Sequence, residues 1–211
     1  MEEGETKIKL FAIFVLIFLI LISFSGCVNI KCSYIPDKYL DNGWYENLSL
    51  RNTGLHLLGL EKWCSSVYEI KGKYPATLTV TTLKTLFLED ESDLYSRLQS
   101  IIKENLKDRI LVGESTNFTG ERSLNNSHKS KFIIYDGIDK QKQNNIKIIG
   151  EVWNCGISGS SILCIGIAYI TNNDNSTNLY TDNWQKIVRD PDGNIENHYG
   201  ENGLIFNIIC H

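Results

Sequence analysis

The chain has 211 residues, 42% of them hydrophobic and 22% charged, which is ordinary globular usage and excludes a wholly disordered or multiply membrane-spanning polypeptide. A formal net charge of −4 provides no basic field, so no nucleic-acid partner is expected. No repeat with a period of about 20–50 residues is present, which disfavours solenoids and propellers.

Every residue from Leu10 to Ile22 is apolar, with Lys7 and Lys9 before the run and Ser23-Phe24-Ser25-Gly26-Cys27 after it. A short apolar run with a small-residue exit reads as a targeting segment. The Ser25-Gly26-Cys27 ending resembles the lipobox of bacterial and archaeal lipoproteins, although Phe24 stands where Leu is commoner and Glu2, Glu3 and Glu5 dilute the basic start. That resemblance implies cleavage before Cys27 and lipid attachment to its thiol. The alternative is an uncleaved signal anchor, because Ile8–Val28 is about 21 residues long and at about 1.5 Å per residue just spans a hydrocarbon core. A helix apolar on every face would otherwise need a large protein core. Residues 1–28 are therefore expected to be a signal or membrane-anchor segment, an N-terminal hydrophobic helix with membrane lipid as its partner. The expected address is the cell membrane, with the rest of the chain on the extracytoplasmic face.

Residues 29–43 read as a tether, with turn residues at Pro36-Asp37 and Asp41-Asn42-Gly43 and little expected burial. Residues 44–211 form the expected extracytoplasmic domain. The stretch from Trp44 to Leu60 carries no decisive periodicity. Trp63–Ile70 alternates with period two, Cys64, Ser66, Tyr68 and Ile70 falling on one side. Gly72-Lys73 then reads as a turn into a second, antiparallel strand over Leu78–Leu88. The clearest helix follows: Leu94, Leu98, Ile101, Ile102 and Leu106 share one face. Asp90, Glu91 and Asp93 stand at its positive end and Lys103, Lys107 and Arg109 toward the other, so the acidic cluster reads as a solvated helix start.

Ile110–Gly113 is a short expected strand, Asn117–Asn126 an expected loop, and Lys131–Tyr135 a further strand ended by Asp136-Gly137. Two apolar strands over residues 146–171 flank Gly159-Ser160, a pair suited to a two-residue type II′ turn. That turn would set Cys155 opposite Cys164 in a close non-hydrogen-bonded pair, about 4.5 Å between Cα atoms, where a disulfide can form. It would also set Trp153 over Gly166 and Tyr169 over Gly150. Ile148, Val152, Leu163, Ile165 and Ile167 would share the face that packs on the helices. A second helix is expected near Asp182–Arg189, with Trp184, Ile187 and Val188 on one face and Pro191 as its stop, and Leu204–Ile209 reads as a closing strand.

Cysteines at 32, 64, 155, 164 and 210 lie in the expected outer part, where oxidation is permitted. Spacing leaves the partners of Cys32, Cys64 and Cys210 open. Sequons begin at Asn47, Asn117, Asn125 and Asn175, candidate glycosylation acceptors in stretches that read as loops or loop edges. No pair among His56, His128, His198 and His211 has the spacing of ligands on one helix face, and no metal site or cofactor is expected. Gly156-Ile157-Ser158-Gly159-Ser160 lacks the final glycine of a nucleophile elbow and sits in a hairpin. Asp190-Pro191-Asp192-Gly193-Asn194-Ile195-Glu196 alternates oxygen ligands as calcium loops do, and Glu201 falls at the twelfth position, but the glycine is at the fourth position where the sixth is required.

The element order gives an expected α+β fold, an antiparallel sheet with two main helices packed on it. The order is similar to that of the PsbP-like sandwich found in exported or membrane-attached proteins, a resemblance that does not itself supply a function. The expected role is that of a membrane-anchored (lipo)protein, non-enzymatic, serving as a binding or structural module for an unknown protein partner. The alternatives are a small-ligand or cation receptor domain and an extracytoplasmic enzyme whose titratable groups meet only in three dimensions.

Overall fold

Alternating side chains build the central sheet. In the computed structural model, which describes residues 30–56, 59–108, 110–112, 118–125, 127–170, 178–189, 195 and 203–210, nine strands join in one antiparallel sheet. They are β1 (Tyr45–Glu46), β2 (Asn52–His56), β3 (Glu61–Ile70), β4 (Ala76–Lys84), β5 (Ile110–Val112), β6 (Phe118–Ser123), β7 (Lys129–Asp139), β8 (Asn145–Cys155) and β9 (Ser160–Tyr169). The order through the sheet is β1-β3-β4-β9-β8-β7-β5, with β2 also on β3 and β6 also on β7. Two helices, α1 (Glu91–Leu106) and α2 (Asn178–Val188), complete the α+β domain. No helix among the described residues is long and apolar enough to cross a membrane, and the apolar run Leu10–Ile22 lies outside them.

Adjacent residues of a strand point to opposite sides of the sheet, and both sides are apolar here. Ile133, Tyr135, Ile148, Val152 and Leu163 pack with Leu94, Leu98 and Ile102 of α1. Their sequence neighbours Ile134, Ile149, Trp153, Ile162 and Cys164 pack instead with Trp184, Ile187 and Val188 of α2 and with Leu204, Ile205 and Ile208. The expected helix-packing face of the hairpin is thus the α1 face. The two helices nonetheless take opposite sides of the sheet. Asp90 caps α1, its Oδ1 accepting from the Ser92 hydroxyl at 2.5 Å and from the Ser92 N–H at 2.8 Å, and these two hydrogen bonds hold the Asp90 carboxyl below its ordinary range.

The β8–β9 hairpin departs from the expected register. Its connection is the four residues 156–159, with Gly159 at φ +59°, and not a two-residue turn centred on Gly159-Ser160. Cys155 therefore pairs with Ser160, and Cys164 with Glu151. Each partner is displaced by four positions, an even number, so every side chain keeps its expected face while losing its expected neighbour. Gly166 pairs with Ile149 and Gly150 with Ile165, so neither glycine lies under an aromatic ring across the strand. The glycines admit the helices instead. A Cβ at Gly150 would lie 2.6 Å from Ile102 Cδ1 of α1, and one at Gly166 would lie 2.7 Å from Ile187 Cγ2 of α2.

Several segments differ from their sequence reading. The expected tether is stitched to the sheet: Cys32 is bonded to Cys64, Ser33 N–H donates to Thr82 Oγ1 at 2.8 Å, and Ile35 N–H donates to the Tyr68 hydroxyl at 2.9 Å. Ser33 and Ile35 are buried, because those bonds satisfy the backbone donors that a tether would leave to water. The expected loop over Asn117–Asn126 contains β6, whose polar residues pair with the edge of β7. Asp136-Gly137 lies inside β7, where a Cβ on Gly137 would come within 2.9 Å of the Leu111 carbonyl in β5. Leu204–Ile209 is not a closing strand; it forms a single 3-10 turn over Ile205–Asn207, and only Ile209 bridges to Tyr34.

Candidate functional site

Three groups of side chains on the sheet have chemistry of interest. The first stands where β8 ends. Cys155 is bonded to Cys210, with Cα atoms 6.5 Å apart, and His128 Nε2 is 3.4 Å from Cys210 Sγ. A tight turn between β6 and β7 presents the imidazole: Ser127 N–H donates to the Leu124 carbonyl at 2.8 Å, and Leu124 N–H to the His128 carbonyl at 2.9 Å. The ligand atoms of His128, Cys155 and Cys210 all lie within 4.8 Å of one another. Two sulfurs joined to each other offer no thiolate, so a zinc-type nitrogen and sulfur donor set would exist only after reduction.

The second group is a buried ion pair that joins three strands and α2. Arg122 of β6 donates from Nε and Nη2 to Glu151 of β8 at 2.8 and 2.5 Å, and Ser130 of β7 donates to Glu151 Oε1 at 2.6 Å. The third guanidinium nitrogen, Nη1, donates to the Val188 carbonyl at 2.7 Å, at the end of α2 where the helix dipole is negative. Both side chains are fully buried, and the further hydrogen bonds from Ser130 and to the Val188 carbonyl offset part of what burying such a pair costs. Cys164, across from Glu151 in the register, is buried and free, and burial pushes its thiol well above the ordinary range.

The third group lines a cavity of about 130 Å³ at the opposite end of the sheet, bounded by Ala76, Leu106, Ile110, Ile146, Asp139 and Tyr169, among others. The Tyr169 hydroxyl donates to Asp139 Oδ2 at 2.5 Å, while Asp139 Oδ1 accepts from the backbone N–H of Gln141 and Lys142 at 2.9 and 3.0 Å. Both side chains are buried, and the walls are otherwise largely aliphatic. A space of this size suits a few heavy atoms or several waters.

The expected Cys155–Cys164 disulfide does not form. The four-residue turn moves Cys164 away from Cys155, which bonds Cys210, and the second cross-link is Cys32–Cys64, with Cα atoms 5.3 Å apart. Cys27, Asn117 and Asn175 lie outside the described residues, as does nearly all of the calcium-like segment 190–201. Asn125 is exposed in the β6–β7 turn. Asn47 is engaged in structure: its Oδ1 accepts from the Ser49 N–H at 3.2 Å and its Nδ2 donates to Glu69 at 3.0 Å.

Arg122, Glu151, His128, Asp139 and Tyr169 take part in these groups without belonging to any motif or spacing that marks them in the sequence. Glu151 did carry a signal, a lone carboxylate in the apolar run Ile146–Trp153, because such a group demands a buried partner. His128 carried none, since its neighbour Cys210 is 82 residues away along the chain. No protein-family model matches this chain, and neither a curated protein nor a solved structure matches it.

Proposed function

We propose that this chain is an exported protein held at the outer face of a membrane by its N-terminal segment, through lipid on Cys27 or an uncleaved anchor over Ile8–Val28, and that its domain is a non-enzymatic binding or structural module for a protein partner. The observation that carries this reading is the pairing of four cysteines into two cross-links, Cys32–Cys64 and Cys155–Cys210, since disulfides persist in oxidising compartments. The apolar run ahead of Cys27 supports the same address from sequence. A sheet filled on both sides and pinned by a buried ion pair is a rigid platform, which suits a surface presented to a partner.

The test is the intact mass of the full chain extracted from membranes, before and after reduction. The reading predicts a chain beginning at Cys27 with added lipid, or the full chain recovered with the membrane, and a gain of about four hydrogens on reduction. Recovery of unlipidated, fully reduced chain from the cytosol overturns it.

A second reading, a small-ligand receptor domain, is favoured by the cavity beside Asp139 and Tyr169. Its ligand would be a small molecule with an apolar body and one hydrogen-bonding group. A rise in melting temperature with members of a small-alcohol and small-amine panel, abolished by Ile146→Phe, supports it; no shift across the panel overturns it.

A further inference from the structure

Five of the twelve exposed large apolar side chains among the described residues stand together at one end of the sheet, the end at which β3 begins and β4 and β8 finish. Leu60 precedes β3, Leu86, Phe87 and Leu88 follow β4, and Ile157 tops the β8–β9 turn. Ile157, Phe87 and Leu86 are 93%, 85% and 71% exposed, the three highest values among the exposed large apolar residues described. Scattered single apolar residues need no explanation, but a cluster of exposed ones on neighbouring loop tips marks a contact surface. The tips are held in place: Lys84 Nζ donates to the Ser158 carbonyl at 3.5 Å, and Asn154 Nδ2 to the Glu89 carbonyl at 3.0 Å.

The path of the chain selects the occupant. Cys32 is bonded to Cys64 near the start of β3, Ser33 bonds Thr82, and Ile35 bonds Tyr68 farther along β3. Followed backward from Ile35 to Cys32, the backbone therefore heads for the same end of the sheet that carries the apolar tips. Five residue steps separate Cys32 from Cys27, a reach of at most about 17 Å at about 3.4 Å per residue. A strand of ten residues is about 33 Å long. A domain tethered that closely at one end cannot stand off a membrane that holds Cys27 or the residues before it.

We infer that the Leu60, Leu86–Leu88 and Ile157 tips rest in the interfacial layer of the bilayer that holds the N-terminal segment, so that the sheet stands on the membrane by this end. The inference rests on the anchoring reading above. Apolar loop tips enter the boundary between headgroups and acyl chains, where their removal from water is favourable and the backbone beneath remains hydrated. The opposite end of the sheet, with Leu111 and the cavity, then faces away from lipid and is open to a partner or ligand.

The test uses the full chain reconstituted in phosphatidylcholine vesicles, separated by flotation and compared with vesicles of brominated phosphatidylcholine, whose acyl bromines quench nearby tryptophan. Ile157→Trp and Phe87→Trp probe the tips, and Leu111→Trp probes the far end; all three positions are exposed, so the substitutions leave the core untouched. The fluorescence added by each tip substitution is expected to fall by more than half in brominated vesicles, and that added at Leu111 by less than a tenth. Equal quenching at both ends, or none at either while the chain floats with the vesicles, overturns the inference and leaves anchoring intact. A chain that does not float overturns the anchoring reading itself.

Discussion

Arg122→Met should destabilise the domain by about 3–5 kcal/mol, the cost of removing one partner from a buried ion pair. Glu151 accepts three hydrogen bonds, two from Arg122 at 2.8 and 2.5 Å and one from Ser130 at 2.6 Å. Without the guanidinium, a fully buried carboxylate keeps one neutral donor, and α2 loses the charged donor on its Val188 carbonyl. At about 2–4 °C per kcal/mol for a domain of this size, the melting temperature should fall by about 6–20 °C. The double variant Arg122→Met/Glu151→Leu should cost no more than about 1–2 kcal/mol, because it removes the orphaned charge together with its partner. Urea unfolding followed by tryptophan fluorescence, with the disulfides intact, measures all three proteins. A double variant as unstable as the single one would show that the loss comes from packing and not from an unpaired carboxylate.

Gly150→Ala should cost about 1–3 kcal/mol in urea unfolding, because its Cβ would meet Ile102 Cδ1 at 2.6 Å and Leu98 Cδ2 at 2.8 Å and push α1 off the sheet. Arg97 donates to both oxygens of Glu61, at 2.6 and 2.9 Å, and holds that carboxyl below its ordinary 4.5. A folded value below the unfolded one means that the pair's contribution is complete above the unfolded carboxyl range and is lost as pH falls through the lowered folded value. The stability gap between the parent and Arg97→Met should therefore be widest near about pH 6 and close toward about pH 3; a gap independent of pH contradicts the assignment. A thiol reagent should leave Cys164 unlabelled in the native protein and label it on unfolding without reductant, since it is buried and its thiol titrates well above the ordinary range. Labelling of Cys164 under native conditions would contradict that burial.

Periodicity made much of this fold legible. Leu94, Leu98 and Ile102 define α1 because a helix repeats its face every three to four residues, and all three are buried as their spacing requires. Trp184, Ile187 and Val188 did the same for α2, and the two faces of β8 and β9 followed from strict alternation. Pairing was less legible, because it depends on turn geometry and on contacts between distant segments. Gly159 was correctly a turn residue, but one glycine is compatible with a two-residue or a four-residue connection, and that choice moved every partner by four positions. Cys155 consequently finds Cys210, 55 residues away, a partner that no local pattern encodes. The short, polar β6 was unreadable for a related reason: Phe118–Ser123 lacks a run of β-branched residues, and its strand form is imposed by the open edge of β7.

If this domain matures where its cysteines are oxidised, peptide mapping without reduction, on full chain extracted from membranes and alkylated before digestion, will show it. Linked peptides are expected for Cys32–Cys64 and Cys155–Cys210, with Cys164 recovered as a thiol. Alkylated thiols at all four paired positions, or a Cys155–Cys164 linkage, would contradict it.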